Sequence, residues 1–188
     1  QVGLHVSPVL AAILGIQTTS RLRDEISSGR AEVLLSLPVS RTRWLLAHAV
    51  SGATAALLLL LSFGLGVAVG QLGTDPGSFW ALAIAGVATA PAALVFIALT
   101  SLLIASAPRA TGLAYAVVGA FEALDVAVEL RALPAAALDA SPFALVPQLP
   151  GGDGHPWQTA LLVGVASALM VAAASSIRRQ DIYASRGA

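Results

Sequence analysis

The chain has 188 residues, 57% of them hydrophobic and only 11% charged, with zero net charge and a mean hydropathy of +0.84. Soluble domains carry about 25% charged residues, so this composition excludes an ordinary water-soluble globule and predicts an all-α, polytopic transmembrane helix bundle. There is no cysteine, which excludes disulfides and thiolate metal sites, and all ten basic residues are Arg, which excludes chemistry that needs a lysine.

The first apolar run, Val2–Ile16, begins directly after Gln1, with no Met and no basic flank. That argues against a signal peptide and predicts the end of a span whose upstream part lies outside this sequence. Residues 17–43 form a charged connection. Four complete spans are then predicted at 44–70, 79–105, 112–128 and 157–177, each long enough for a hydrocarbon core about 30 Å thick. Pro91, inside the second, either kinks that helix or is a packing irregularity. Small residues four apart (Gly66 with Gly70, Gly86 with Ala90, Ala116 with Ala120, Gly164 with Ala168) are candidate points of close helix approach.

Arginine placement gives the orientation. Arg21, Arg23, Arg30, Arg41 and Arg43 precede the first complete span, Arg109 lies between the second and third, and Arg178, Arg179 and Arg186 follow the fourth. The other side has only Arg131, against Asp75, Asp139 and Asp153. The positive-inside rule therefore predicts that 17–43, 106–111 and the tail 178–188 face the cytoplasm. Trp44, Trp80 and Trp157 each begin a span, where an amphipathic ring suits the interface. The outer connection 129–156 carries five prolines, yet also Leu133, Leu138, Phe143, Leu145, Val146 and Leu149. So apolar a connection predicts short segments that lie on or dip into the outer leaflet, where irregular backbone must be covered by protein or line a wet cavity.

Within 17–43, Ser27-Ser28-Gly29 reads as a helix end and Arg30–Leu37 as a short amphipathic helix stopped by Pro38. Ser40 is placed to cap the helix that enters the membrane at Arg41, Arg43 and Trp44. The residues alone leave two readings of equal weight: a helix resting on anionic inner-leaflet lipid, or a docking helix for a soluble partner.

The chain shows no catalytic constellation. No Walker A motif is present, and none of the usual form is possible without lysine. His5, His48 and His155 are far apart in the predicted topology and no HExxH occurs, so no metal site is expected. Glu122, Asp125 and Glu129 are the exception. Their three- and four-residue spacing puts them on one helix face, and charges at membrane depth usually face a bundle interior or a water-filled cavity. Either they line a translocation path, or they sit near the outer surface, hydrated or paired with Arg131. An unbroken helix from Arg109 would carry Glu122 about 20 Å, into the outer half of the core.

The run Glu25-x-x-x-Gly29-Arg30-x-Glu32-x-Leu34-Leu35-x-x-Pro38-Val39-Ser40-Arg41 resembles the coupling helix of ATP-binding-cassette (ABC) exporter permeases. More narrowly, it is similar to the actinobacterial polyketide-antibiotic or multidrug exporter group. Ser141-Pro142-Phe143 with Pro147-x-Leu149-Pro150-Gly151-Gly152, and Ile177-Arg178-Arg179-Gln180-Asp181-Ile182, match that group's outer segment and ending, in the same order. The resemblance covers about residues 20 to 182. It implies a six-span unit with the coupling helix between spans two and three, and re-entrant outer segments between spans five and six. The four spans here, plus the end of a fifth, would then belong to such a unit in the inner membrane.

The resemblance further implies alternating access driven by a cytoplasmic ABC ATPase dimer, which would bind ATP and magnesium while this chain binds no cofactor. Glu25, Gly29, Arg30, Glu32, Leu34, Leu35, Pro38, Ser40 and Arg41 would couple to it. Other implied partners are a second permease unit, membrane lipid and amphiphilic cargo, and no nucleic acid. Two alternatives remain: a secondary transporter driven through protonation of the 122–129 acids, and a non-transporting membrane protein that recruits a partner through 21–43.

Overall fold

The computed structural model describes residues 2–27, 40–73, 76–146 and 155–179. Within them the fold is all-helical, with six α-helices: α1 (Val2–Ser27), α2 (Arg41–Gly70), α3 (Phe79–Ala88), α4 (Ala90–Ser106), α5 (Leu113–Glu129) and α6 (Pro156–Arg179). Short 3₁₀ turns lie at Pro76–Ser78, Pro108–Ala110 and Ala135–Ala140. Four stretches are long and apolar enough to cross a membrane: Arg41–Gly70, Phe79–Ser106, Pro108–Glu129 and Pro156–Arg178. These are the four spans expected from hydropathy.

Local chemistry sets most of the ends. Ser40 has extended backbone, and its Oγ accepts a hydrogen bond from Arg43 N at 3.3 Å, so it caps α2 as its position suggests. At α6, His155 N donates to Gln158 Oε1 at 3.3 Å and Gln158 N donates to His155 O at 2.9 Å. That reciprocal pair resembles a capping box, with Pro156 in the first turn where its missing N–H costs nothing. The stop of α5 was not legible. Ala132 N donates to Ala127 O at 2.8 Å and Arg131 N to Val128 O at 2.9 Å, a Schellman closure with Arg131 at φ 59° where glycine is usual.

The expected single helix 79–105 is instead two helices. The break falls at Thr89, two residues before Pro91, which occupies the first turn of α4. Thr89 N and Thr89 Oγ1 both donate to Gly86 O, at 3.2 and 2.7 Å, so the freed carbonyl is satisfied without water. Other hydroxyls in the spans close onto the preceding turn in the same way, as Thr100 does to Phe96 O and Ser101 to Ile97 O. Lipid offers no alternative partner, so this local bonding is what lets such residues sit at depth.

The Phe79–Ser106 crossing is the buried centre, while the other three candidate spans bury only a stripe each. Phe96, Ile97 and Ile104 of α4 are enclosed by α1, α2 and α6. Helix α2 meets its neighbours through Gly52, Ala56, Leu60, Gly64 and Ala68, a buried row at four-residue spacing. A Cβ on Gly64 would collide with the Ala83 carbonyl, and one on Gly86 with the Leu60 carbonyl. A Cβ on Gly52 would strike Thr19 Oγ1, and one on Gly15 would sit 2.6 Å from Ile97. Backbones this close gain dispersion contacts that lipid tails cannot match.

Of the four small-residue pairs singled out above, only Gly86 with Ala90 lies in such a contact. Gly66, Gly70 and Gly164 meet nothing within 4 Å, and Ala116, Ala120 and Ala168 are exposed. Spacing alone does not say which face of a helix is inward, and in an Ala-rich chain small residues occur on every face.

Gly64→Val and Gly86→Val should each destabilise the α2–α3 pair by about 1–3 kcal/mol, the usual cost of overpacking. Gly66→Val, two residues away on the open face, should leave thermal unfolding in mild detergent nearly unchanged. Equal losses at positions 64 and 66 would mean that the helices pair on another face.

Candidate functional site

The acids expected to share a face do so on α5, at the edge of its inward side. Ala114 and Val118 are buried, and Phe121, Glu122 and Asp125 are half-buried along the same direction. Glu129, in the last turn, is exposed. The helix begins at Leu113, after a separate 3₁₀ turn at Pro108–Ala110, so Glu122 lies nine residues in, about 14 Å along the axis.

Helix α5 is held loosely, by α1, by α4 and by the 3₁₀ turn Ala135–Ala140. The seam between α1 and α5 carries unusual polar groups. Tyr115 of α5 approaches Ser20 of α1, yet Ser20 Oγ is buried with no hydrogen bond of good geometry. Along α5, Tyr115, Val118, Glu122, Asp125 and Glu129 repeat at three- and four-residue intervals. They form one stripe down the side that meets α1.

The outer connection turns back into the bundle. After Arg131 the chain runs through the 3₁₀ turn to Ser141, which is fully buried, with Phe143 and Val146 buried in the main core beside it. The Phe143 ring stacks on Phe96 at 5.1 Å between centroids and 17° between planes. Phe121 meets Phe96 edge-on at 6.3 Å and 71°. Phe96 is ten residues before Ser106, about 15 Å from the end that the arginines assign to the cytoplasm. In a core about 30 Å thick, that is mid-depth. The segment after the 3₁₀ turn is therefore packed into the main core against Phe96 of α4, and is called the plug below.

The sequence points to Phe143, as an apolar residue of the outer connection and within Ser141-Pro142-Phe143, but not to Phe96 or Phe121. Three of the chain's five phenylalanines, from two spans and a loop, form the cluster. The available signal was a large aromatic in a proline-rich loop too apolar for water. Aromatic pairs contribute about 0.5–1.5 kcal/mol each beyond burial. Against this stands Ser141, whose Oγ has no hydrogen-bond partner, and a buried hydroxyl left that way costs about 1–3 kcal/mol. The plug is anchored by the Phe143 ring and left with an unsatisfied hydroxyl at Ser141.

Of the expected coupling residues, Gly29, Arg30, Glu32, Leu34, Leu35 and Pro38 lie outside the described residues. Glu25 falls near the end of α1, which runs unbroken past Ile16 to Ser27. Ser40 and Arg41 start α2, where Ser40, Arg41, Thr42, Arg43, Leu46 and Arg178 line an open groove of about 620 Å³. His48, one turn further along, donates from Nδ1 to Trp44 O at 3.1 Å and stands edge-on to the Trp44 ring at 5.7 Å, a structural role. Among the described residues no His, Asp or Glu side chains converge as a metal-ligand set.

Residues 2–178 match the family model described as the C-terminal domain of the multidrug efflux system permease Rv1217c. The chain is 34% identical over 177 residues to the multidrug efflux system permease protein Rv1217c of Mycobacterium tuberculosis. The alignment covers 93% of this chain and 32% of that protein, so the chain spans about a third of the length of its curated relative.

The plug makes a measurable demand on residue 141. In a Ser141→Cys variant the thiol should resist an impermeant thiol reagent, because the site is enclosed. Adding Phe143→Ala should raise the labelling rate at least about tenfold, since Phe→Ala in a packed core costs about 3–5 kcal/mol. Fast labelling without Phe143→Ala would mean that the segment does not seat in the bundle.

Proposed function

The chain belongs to the family of the C-terminal domain of the multidrug efflux system permease Rv1217c, and from that premise we propose that it is the membrane-crossing unit of an ATP-driven exporter. It is a permease domain with four candidate membrane spans. In the proposed reading the energy comes from a separate ABC ATPase dimer, which binds ATP and magnesium, and the cargo is amphiphilic and drug-like. The single observation that carries the reading is the family match over 2–178, nearly the whole chain.

The coupling-helix motif at 25–41 supports the ATPase partner, because an amphipathic segment too short to span suits docking on the inner face. The remaining two-thirds of the relative's length has room for a second permease unit in the same polypeptide. The α1–α5 seam is the proposed path. It offers carboxylates at mid-depth and hydroxyls lower down, in a medium where polar groups are otherwise expensive. Alternating access would then require the Phe143 plug to leave Phe96, opening the seam outward.

Two sets of variants test this. Glu32→Arg and Leu35→Asp should uncouple ATP turnover by the partner from export, with the chain still in the membrane; normal export by both would remove the docking assignment. Glu122→Gln should weaken export of cationic compounds several-fold more than neutral ones, whereas Glu129→Gln, in water, should do much less. An unchanged cationic-to-neutral ratio would take the acids out of the path. Efflux that followed a proton gradient and ignored nucleotide would favour a secondary transporter.

A further inference from the structure

The groove at the start of α2 has two properties that the transport reading does not use. Its lining carries three guanidinium groups, Arg41, Arg43 and Arg178, and no acidic side chain among the described residues. The capped N-terminus of a 30-residue helix adds its positive dipole end to the same place. Arg178 Nε donates to Thr42 Oγ1 at 3.3 Å, which fixes the end of α6 across the start of α2. Beneath this bridge, Trp44 and Leu45 pack with Ala173 and Ile177, so the two helices are joined where the arginines are.

The surface leading away from the groove is apolar. Arg43 heads a stripe on α2 that continues through Leu46, Val50, Leu57 and Leu61, all exposed, at intervals of three, four and seven residues. Leu46 belongs to both the groove and the stripe. On α6, Arg178 likewise heads an exposed face that runs through Ser175 and Val171. Cationic forks at the membrane surface, with bare hydrocarbon directly below, match a molecule with an anionic head and long acyl chains. A soluble acidic partner would leave the stripe unexplained.

We propose that this groove is a binding site for one anionic phospholipid of the inner leaflet. Its phosphate would lie among Arg41, Arg43 and Arg178, and an acyl chain along Leu46 and Val50. Guanidinium suits this role because its planar donors can grip a phosphate bidentately and it is charged at every working pH. The lipid would tie the end of α6 to the start of α2, the helix that directly follows the segment at 25–41. Basic pockets between spans on the cytoplasmic side are a known arrangement for such head groups.

The test uses the purified chain in detergent, with retained lipid counted by native mass spectrometry. Phosphatidylglycerol should be kept through delipidation at least about tenfold better than phosphatidylcholine. Combined Arg43→Gln and Arg178→Gln should remove that preference, losing about tenfold or more for two surface charges. Arg131→Gln, on the opposite side, should leave it intact. Wild-type chain supplies an arm that no substitution can spoil: rising salt should weaken retention of phosphatidylglycerol and spare phosphatidylcholine. Glycerol phosphate and inorganic phosphate, which lack the chains, should not displace the lipid.

A preference that survives the double substitution or high salt overturns the site. Displacement by either free phosphate would make it a small-anion site and also overturn the proposal. So would a double variant that keeps its lipid but no longer co-purifies with a soluble ATPase, since the arginines would then serve a protein.

Discussion

A backbone in hydrocarbon has no water to bind, so every N–H and C=O must find a partner inside the protein. Nearly every feature of this fold answers that demand. Serine and threonine hydroxyls in the spans close onto the preceding turn. The break at Thr89 is tolerated because threonine's own N–H and hydroxyl both donate to the Gly86 carbonyl near the end of α3. The closure at Arg131 accepts a left-handed arginine in order to bond two further carbonyls at the end of α5.

The same demand explains why the outer segment matters. Irregular backbone at mid-depth survives only where protein covers it, and here the main core provides the cover. The cover is incomplete at Ser141. A segment seated by one aromatic contact, with a hydroxyl in deficit, is less firmly held than a helix, whose bonds are all internal. A moving part of a permease needs that property, because local opening is drawn from the least stable regions of a fold.

Packing strength is distributed unevenly. Helices α2 and α3 meet through Gly64 and Gly86, whose nearest neighbours are backbone carbonyls, and α1 meets α2 and α4 closely at Gly52 and Gly15. Helix α5 meets the bundle through side chains and through the plug, and its acids share that looser seam. The tight part would serve as the frame, and the α5 side as the part that yields. The start of α2 and the end of α6, joined through Trp44, Leu45, Ala173 and Ile177, form a second fixed point.

The sequence by itself determined the class and the four spans, because a 20-residue hydrophobic run is a linear property. It also determined the Ser40 cap and the shared face of Glu122, Asp125 and Glu129, since caps and helical periodicity involve only near neighbours. Three things waited for tertiary structure. The inward face of α2 proved to be Gly52, Ala56, Gly64 and Ala68 and not Gly66 with Gly70, because in lipid both faces of a helix are apolar and hydropathy cannot separate them. The meeting of Phe96, Phe121 and Phe143 joins residues up to 47 positions apart through a loop whose path no local rule fixes. The basic groove needs Arg43 and Arg178, 135 positions apart, and the sequence predicts only that both lie on the cytoplasmic side. That Arg178 crosses to Thr42 is decided by how α2 and α6 pack.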